Sequence, residues 1–422
     1  MHEVISGLLG HDRVKAARQH IERTDEATLA RQAALSAIPA PTGAEAERAA
    51  RVAELFREAG LREVRIDEAG NVSGWAHGNG GSERGEGGRG HPVPAPVVLS
   101  AHLDTVFGPD VDVSVERRGR RLEGPGISDN ARGIAALVAV AEAVVTARVR
   151  TARPILFAAT VGEEGSGDLR GVKHLLNGKR ETLKGSPTVA GNAKPAAFIA
   201  LDGAGMERIV HRALGSRRYH VTFRGPGGHS WAAFGVANPA NAVGRATALL
   251  ADVPTPHAPR TTCAVVRLGG GTGLNSIPQE AWLDLDLRSE DPKALAQLDV
   301  TVRAALARAT DDENRRRAPA TPPLGIEIQL LGDRPSGVTP RTHPLVQAAI
   351  AANRILGKDA ELASASTDAN VPIALGVPAI ALGAGGKAGD AHLTSEWYEN
   401  TEGALGIVRA LLVTAAVAEV EM

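Results

Sequence analysis

The sequence has little cysteine, few aromatic residues, almost no net charge and no long apolar run. Its 422 residues include one cysteine, Cys263, which excludes an intrachain disulfide and any zinc module built on cysteine pairs. That residue lies in the strand-like run Thr262-Cys263-Ala264-Val265-Val266 and reads as a buried thiol rather than a nucleophile. Aromatics make up 3% of the chain, so the core has to be built from Ala, Leu, Val and Ile. A net charge of -1 removes the electrostatic case for nucleic acid or an anionic membrane as partner. No apolar stretch is long enough to span a bilayer. The opening Met1-His2-Glu3-Val4 lacks a basic segment followed by an apolar one, so no signal peptide is expected and the cytoplasm is the expected compartment.

What is present is an alternation of buried strands and helices. The first 60 residues read as helical, with Asp25 placed to cap Glu26–Ser36 and Gly60 placed to end a helix over Ala44–Ala59. Strand-like pieces follow at Val64–Ile66 and Val72–Trp75. Residues 78–91, rich in Gly, Arg, Glu and Ser without periodicity, predict a surface loop. Val97–Ala101, Ile155–Thr160, Ala197–Leu201 and Val377–Leu382 are apolar runs of buried-strand type. Helices are expected at Gly133–Ala147, Val172–Leu176, from Pro344 and over Thr401–Glu419. This predicts an α/β fold, a mixed sheet with helices on both faces, formed by residues 1–213 and 334–422. Residues 214–333 read differently. Strands at Arg217–Arg224, Thr261–Leu268, Ala281–Arg288 and Ile326–Leu330, with helices at Pro239–Leu250 and Pro292–Arg308, predict a smaller inserted α+β domain.

Polar residues of catalytic type stand just beyond the predicted strands. Ser100-Ala101-His102-Leu103-Asp104 puts an imidazole at a strand end with a carboxylate two residues on, able to fix its tautomer. A strand-end His near an Asp is also a common structural pair. Gly126-Ile127-Ser128-Asp129-Asn130 opens a helix. Ser128 or Asp129 could simply cap that helix, or Asp129 could give one oxygen to each of two cations. Gly162-Glu163-Glu164-Gly165 places two carboxylates in a glycine-rich turn. Neighbouring side chains point differently, so one acid could hold metal while the other faces water as a general base. Asp202 follows another strand, and His392 lies in a loop after Gly383-Ala384-Gly385-Gly386. Each has an ordinary reading alone. Together they form two imidazoles and several acids beyond the strand ends of one sheet, a donor set suited to Zn²⁺, with Mn²⁺ or Co²⁺ as alternatives.

From Leu35 to Ala416 this ordered set resembles the co-catalytic di-zinc metallopeptidases that include peptidase T, glutamate carboxypeptidase, aminoacylase and succinyl-diaminopimelate desuccinylase. The resemblance implies two divalent cations, one held by His102, Asp129 and Asp202, the other by Asp129, Glu164 and His392. It implies Glu163 as general base and Asp104 as the partner that orients His102. It further implies that the insert is a lid or dimerisation domain of a homodimer, with His229 in Gly227-Gly228-His229-Ser230 reaching the partner's site as oxyanion donor. Asn275 and Arg288 resemble substrate contacts, Arg288 as a clamp on a carboxylate. Gly383–Gly386, Gly385 among them, could offer backbone amides to that carboxylate or merely turn the chain. Asp at position 202, where other branches of the family carry Glu, tilts the expected substrate to a short peptide with a free N-terminus, over an acylated amino acid or a carboxypeptidase substrate. Asn130 departs from relatives that carry a second Asp there. A serine hydrolase is the rival enzyme, because Gly228-His229-Ser230-Trp231-Ala232 approaches a nucleophile elbow, though without its final Gly. A non-catalytic binding protein is the other rival, and the intact acid and His set weighs against it. No G-x-G-x-x-G follows a strand, which removes a dinucleotide site.

Overall fold

The computed structural model describes residues 1–76, 94–177 and 194–421, so the loop expected at 78–91 lies outside the described residues. Contacts divide the chain into two compact units, Met1–Ala213 with Val338–Met422, and Leu214–Gly337.

The larger unit is a mixed sheet between helical layers. Strand order runs Arg62–Ile66, Val72–Ala76, Ile155–Thr160, Val97–His102, Ala197–Leu201, Ala379–Leu382 and Arg208–Ala213, with Glu361–Ala365 parallel to the last. Four adjacent strands, Ile155–Thr160 through Ala379–Leu382, are mutually parallel. They are buried throughout and mostly apolar, which is what a strand covered on both faces requires. Alternate residues divide between two cores. Leu99, Phe157, Ile199 and Ile380 pack with the helices Ala131–Thr146, Pro344–Ile355 and Gly403–Val417. Val98, Leu156, Phe198 and Ala379 pack with residues of Arg170–Asn177 and Asn370–Ala374. The parallel direction leaves four carboxyl ends along one edge of the sheet, the usual place for a site in such folds.

A second, antiparallel sheet in this unit was not anticipated. It runs Lys387–Gly389, Trp397–Glu399, Arg121–Glu123, Glu116–Arg118. Its strands are three residues long and carry charges, so they show no apolar alternation to read. Two further expectations need correction. Asp25 lies inside the helix Asp25–Ser36, and its carboxylate accepts from the Asn400 side chain rather than capping. The helix Ala131–Thr146 is capped by Asn130, whose side chain accepts from the Gly133 N–H, and not by Ser128 or Asp129.

The smaller unit has four antiparallel strands in the order Thr261–Gly270, Glu280–Ser289, Gly215–Arg224, Gly325–Arg334. Tyr219, Val221, Phe223, Leu283, Leu285 and Leu287 form its core with the helices Pro239–Ala251 and Pro292–Arg316. The second helix runs past the expected Arg308 because Ala309, Thr310 and Glu313 continue its buried face. Cys263 is half-buried in this unit.

Candidate metal centre

His102 is the last residue of Val97–His102, Glu163 and Glu164 follow Ile155–Thr160, and Asp202 follows Ala197–Leu201. Asp129 and His392 come from the loops bordering the small sheet. The six meet at the carboxyl edge. His102, Asp129 and Asp202 bring donor atoms within 4.8 Å of one another, and so do Asp129, Glu164 and His392. Asp129 belongs to both groups. Its Oδ1 is 3.0 Å from His102 Nε2, and its Oδ2 is 3.3 Å from His392 Nε2. His392 Nε2 also lies 3.2 Å from Glu164 Oε1. Glu163 joins a further grouping with His102 and Glu164.

Supporting contacts orient these donors. His102 Nδ1 sits 3.1 Å from the Asp104 carbonyl and 3.6 Å from its carboxylate. A proton on Nδ1 there leaves Nε2 as a lone-pair donor facing Asp129. Asp104 has a second task that its sequence position does not reveal. Its carboxylate accepts the backbone N–H of Glu163 and of Glu164, each at 2.9 Å, and the Thr42 hydroxyl at 2.8 Å. It therefore shapes the turn that presents both glutamates. Asn130 binds Leu201 O through its amide nitrogen and accepts from the Gly133 and Gly203 N–H groups, bracketing Asp202 on both sides. The donor to Leu201 O explains the departure from Asp at this position, since a carboxylate has no proton to give there. Sequence reasoning also missed Arg48, a fully buried guanidinium that ties the Leu103 carbonyl, beyond the His102 strand end, to Ile38, and which burial lowers to about 10.

Electrostatics test whether cations fit. Burial and the neighbouring Asp129 carboxylate push Asp202 up to about 7. Hydrogen bonds to Asp129 and Glu164 raise His392 to about 10. Burial would lower His102, yet Asp104 and Asp129 hold it well above its usual value. Burial would likewise raise Asp104, but His102 and the two backbone N–H groups hold it at about 2. The raised imidazoles and the raised Asp202 mark a place where carboxylates crowd together. Hard oxygens and imidazole nitrogens in two groups sharing one carboxylate are donors that divalent cations fit.

The remaining expected residues are not among these donor groups. His229 and Asn275 meet in the smaller unit: Gly228–His229 pairs with Ser276–Ile277, and the Ser230 N–H donates to Asn275 O at 2.8 Å. His229 is therefore in a short strand. Its Nδ1 faces the backbone N–H groups of Trp231 and Ala232, which places the ring proton on Nε2. Arg288 lies on Glu280–Ser289 with its guanidinium forked onto Asp286 at 2.8 to 3.2 Å. A substrate carboxylate would have to share that guanidinium. Gly385 turns the chain with φ +81°, and its N–H already donates to Gly205 O. Ala384 N–H is likewise bound to Gly203 O, which favours the reading that this stretch turns the chain.

The profile of Peptidase family M20/M25/M40 matches residues 98–417. Nothing among curated proteins matches by sequence. Among solved structures, an aminopeptidase PepT from Bacillus cereus is 20% identical with a TM-score of 0.70, covering 93% of this chain and 99% of that one. A tripeptidase from Staphylococcus aureus is 19% identical with a TM-score of 0.71, covering 93% and 98%. A hydantoinase/carbamoylase family amidase from Burkholderia vietnamiensis is 18% identical with a TM-score of 0.67, covering 95% and 98%. At such identities these likenesses establish the fold.

Proposed function

We propose, from the premise that this chain belongs to peptidase family M20/M25/M40 and is a hydrolase of peptide or amide bonds, that it cleaves short peptides next to a free N-terminus. His102, Asp129 and Asp202 would hold one divalent cation, and Asp129, Glu164 and His392 the other, with zinc the first choice. The observation that carries this reading is Asp129, whose two oxygens face separate sets of donors. Cations held there supply Lewis acidity, acidifying a water and polarising the amide carbonyl.

The chain's own residues do the rest. Glu163 takes a proton from the attacking water as oxygen bonds to the amide carbon. It then delivers that proton to the amine as the C–N bond breaks, so each turnover consumes one water. Asp104 keeps Glu163 at its post through the backbone bond at 2.9 Å. His229 Nε2–H, supplied by a second copy of the chain, donates to the developing oxyanion.

Asp202 and the likeness to an aminopeptidase and a tripeptidase support the choice of substrate. An amidase acting on acylated or carbamoylated amino acids is the second reading, supported by the likeness to the Burkholderia enzyme. A panel of dipeptides, tripeptides, N-acetyl and N-carbamoyl amino acids separates them. Turnover should be greatest on unblocked di- and tripeptides, vanish with a chelator, return with Zn²⁺, Co²⁺ or Mn²⁺, and survive a serine-directed acylating reagent. Preference for blocked amino acids would transfer the assignment to the amidase. Activity that resists the chelator would refute the metal centre.

A further inference from the structure

Glu396 is fully buried and lies four residues beyond His392. Its carboxylate faces neither Arg nor Lys in the hydrogen-bond pattern but the backbone that leads into Asp129. Oε1 accepts the N–H of Ser128 and of Asp129, both at 2.8 Å, and Oε2 accepts the N–H of Gly126 at 2.9 Å. Its own carbonyl accepts the Gly124 N–H at 2.9 Å. One residue thereby gathers four amides of the 124–129 segment. That segment is a run of turns without ladder partners, so its N–H groups need an acceptor from elsewhere. A carboxylate is a strong one.

We propose that Glu396 is a positioning residue that locks the Asp129 loop to the His392 loop and so sets the geometry of the Asp129–Glu164–His392 cation site. The inference rests on the metal reading above. Two of that group's three donors, Asp129 and His392, ride on the loops that Glu396 joins. Only Asp129 does so in the His102–Asp129–Asp202 group, whose other members stand at strand ends. His392 also has little else to hold it: its side chain is 53% exposed and its backbone is left-handed at φ +68°. The two sites should therefore respond unequally to loss of the clamp.

The test is a titration of metal-stripped full-length chain with Zn²⁺ against a competing chromophoric chelator. Wild type is compared with Glu396→Gln, Glu396→Asp and His392→Ala, and melting of each metal-free protein is followed alongside. Glu396→Gln keeps reach but loses an acceptor; Glu396→Asp keeps charge but shortens the reach by a methylene. Both should weaken one binding step, the one His392→Ala removes, by about 10–100-fold while the other step changes far less, the range for partners that orient metal ligands. Hydrogen exchange in the wild type should show protected amides at Gly126, Ser128 and Asp129, a result that needs no variant to fold. Equal weakening of both steps, wild-type affinity in Glu396→Asp, or unprotected amides in the wild type would overturn the proposal. A wild-type chain that binds one cation or none would refute the two-cation reading itself, and the proposal with it.

Discussion

The Glu163-Glu164 pair shows how adjacent identical side chains acquire different work. Both backbone N–H groups end on the same Asp104 carboxylate, which fixes the turn, and the two side chains still bring carboxylate oxygens within 4.8 Å of each other. Glu164 reaches His392 at 3.2 Å and so belongs with a cation group. Glu163, 5% exposed, is the acid we propose for the water. Replacing Glu163 by Gln keeps shape and removes basicity. The kcat of Glu163→Gln should fall by about 10²–10⁴, with metal content by elemental analysis unchanged. Near-wild-type turnover would disprove the base assignment, and loss of metal would mean Glu163 is a ligand. Candidate ligands were legible in the sequence because each is a chemically distinctive residue just past an apolar run. Asp104's grip on the turn, the Asn130 bracket and the Glu396 clamp were not. They act on backbone atoms far away in sequence, and no local pattern encodes such a partner.

At the scale of elements, the site depends on how closely the helix Ala131–Thr146 approaches the end of Ala197–Leu201. Gly133, in the first turn, makes that approach possible. A Cβ there would stand 2.6 Å from Leu201 O and would strike the Asn130 side-chain oxygen. Neither can yield without moving Asp129 or Asp202. Gly133→Ala should thus lower stability by about 1–3 kcal/mol, the usual cost of overpacking, and weaken cation binding as well. Denaturant unfolding and metal titration measure the two effects, and a variant that loses stability while keeping metal affinity would show that the contact does not set the site. Strands and helices of the sheet were legible because apolar runs and helical periodicity are strong signals. The small sheet was not: Glu116–Arg118 and Lys387–Gly389 look like loop and pair with their near neighbours Arg121–Glu123 and Trp397–Glu399, and only the pairing of those neighbours across more than 270 residues joins them into one sheet. It is this sheet that delivers Asp129 and His392, so the least readable element carries two of the expected ligands.

At the scale of the whole molecule, the question is whether one chain suffices. Among the described residues no helix is long and apolar enough to cross a membrane, yet the tip around His229 is apolar and open. Trp231 is 87% exposed and Phe234 88%, in a chain with 4 Trp and 6 Phe. Leu274, beside Asn275, is exposed as well. Large apolar side chains gathered at an exposed tip are characteristic of a surface that another molecule covers. We propose a second copy as the occupant, because an isologous dimer would supply the same His229 to both sites. The imidazole is prepared for that task, its Nδ1 occupied by backbone N–H groups and its Nε2 proton free to donate. His229→Ala should reduce kcat by about 10²–10³ without changing the melting temperature or metal content. The decisive measurement mixes His229→Ala chains with Glu163→Gln chains, each nearly inactive alone. If His229 serves the partner, one of the two sites in a mixed dimer has both His229 and Glu163, and activity returns as subunits exchange. If it serves its own chain, every site lacks one residue and mixing restores nothing. No recovery despite exchange shown by mass spectrometry, or a fully active monomer, would place His229 outside this role.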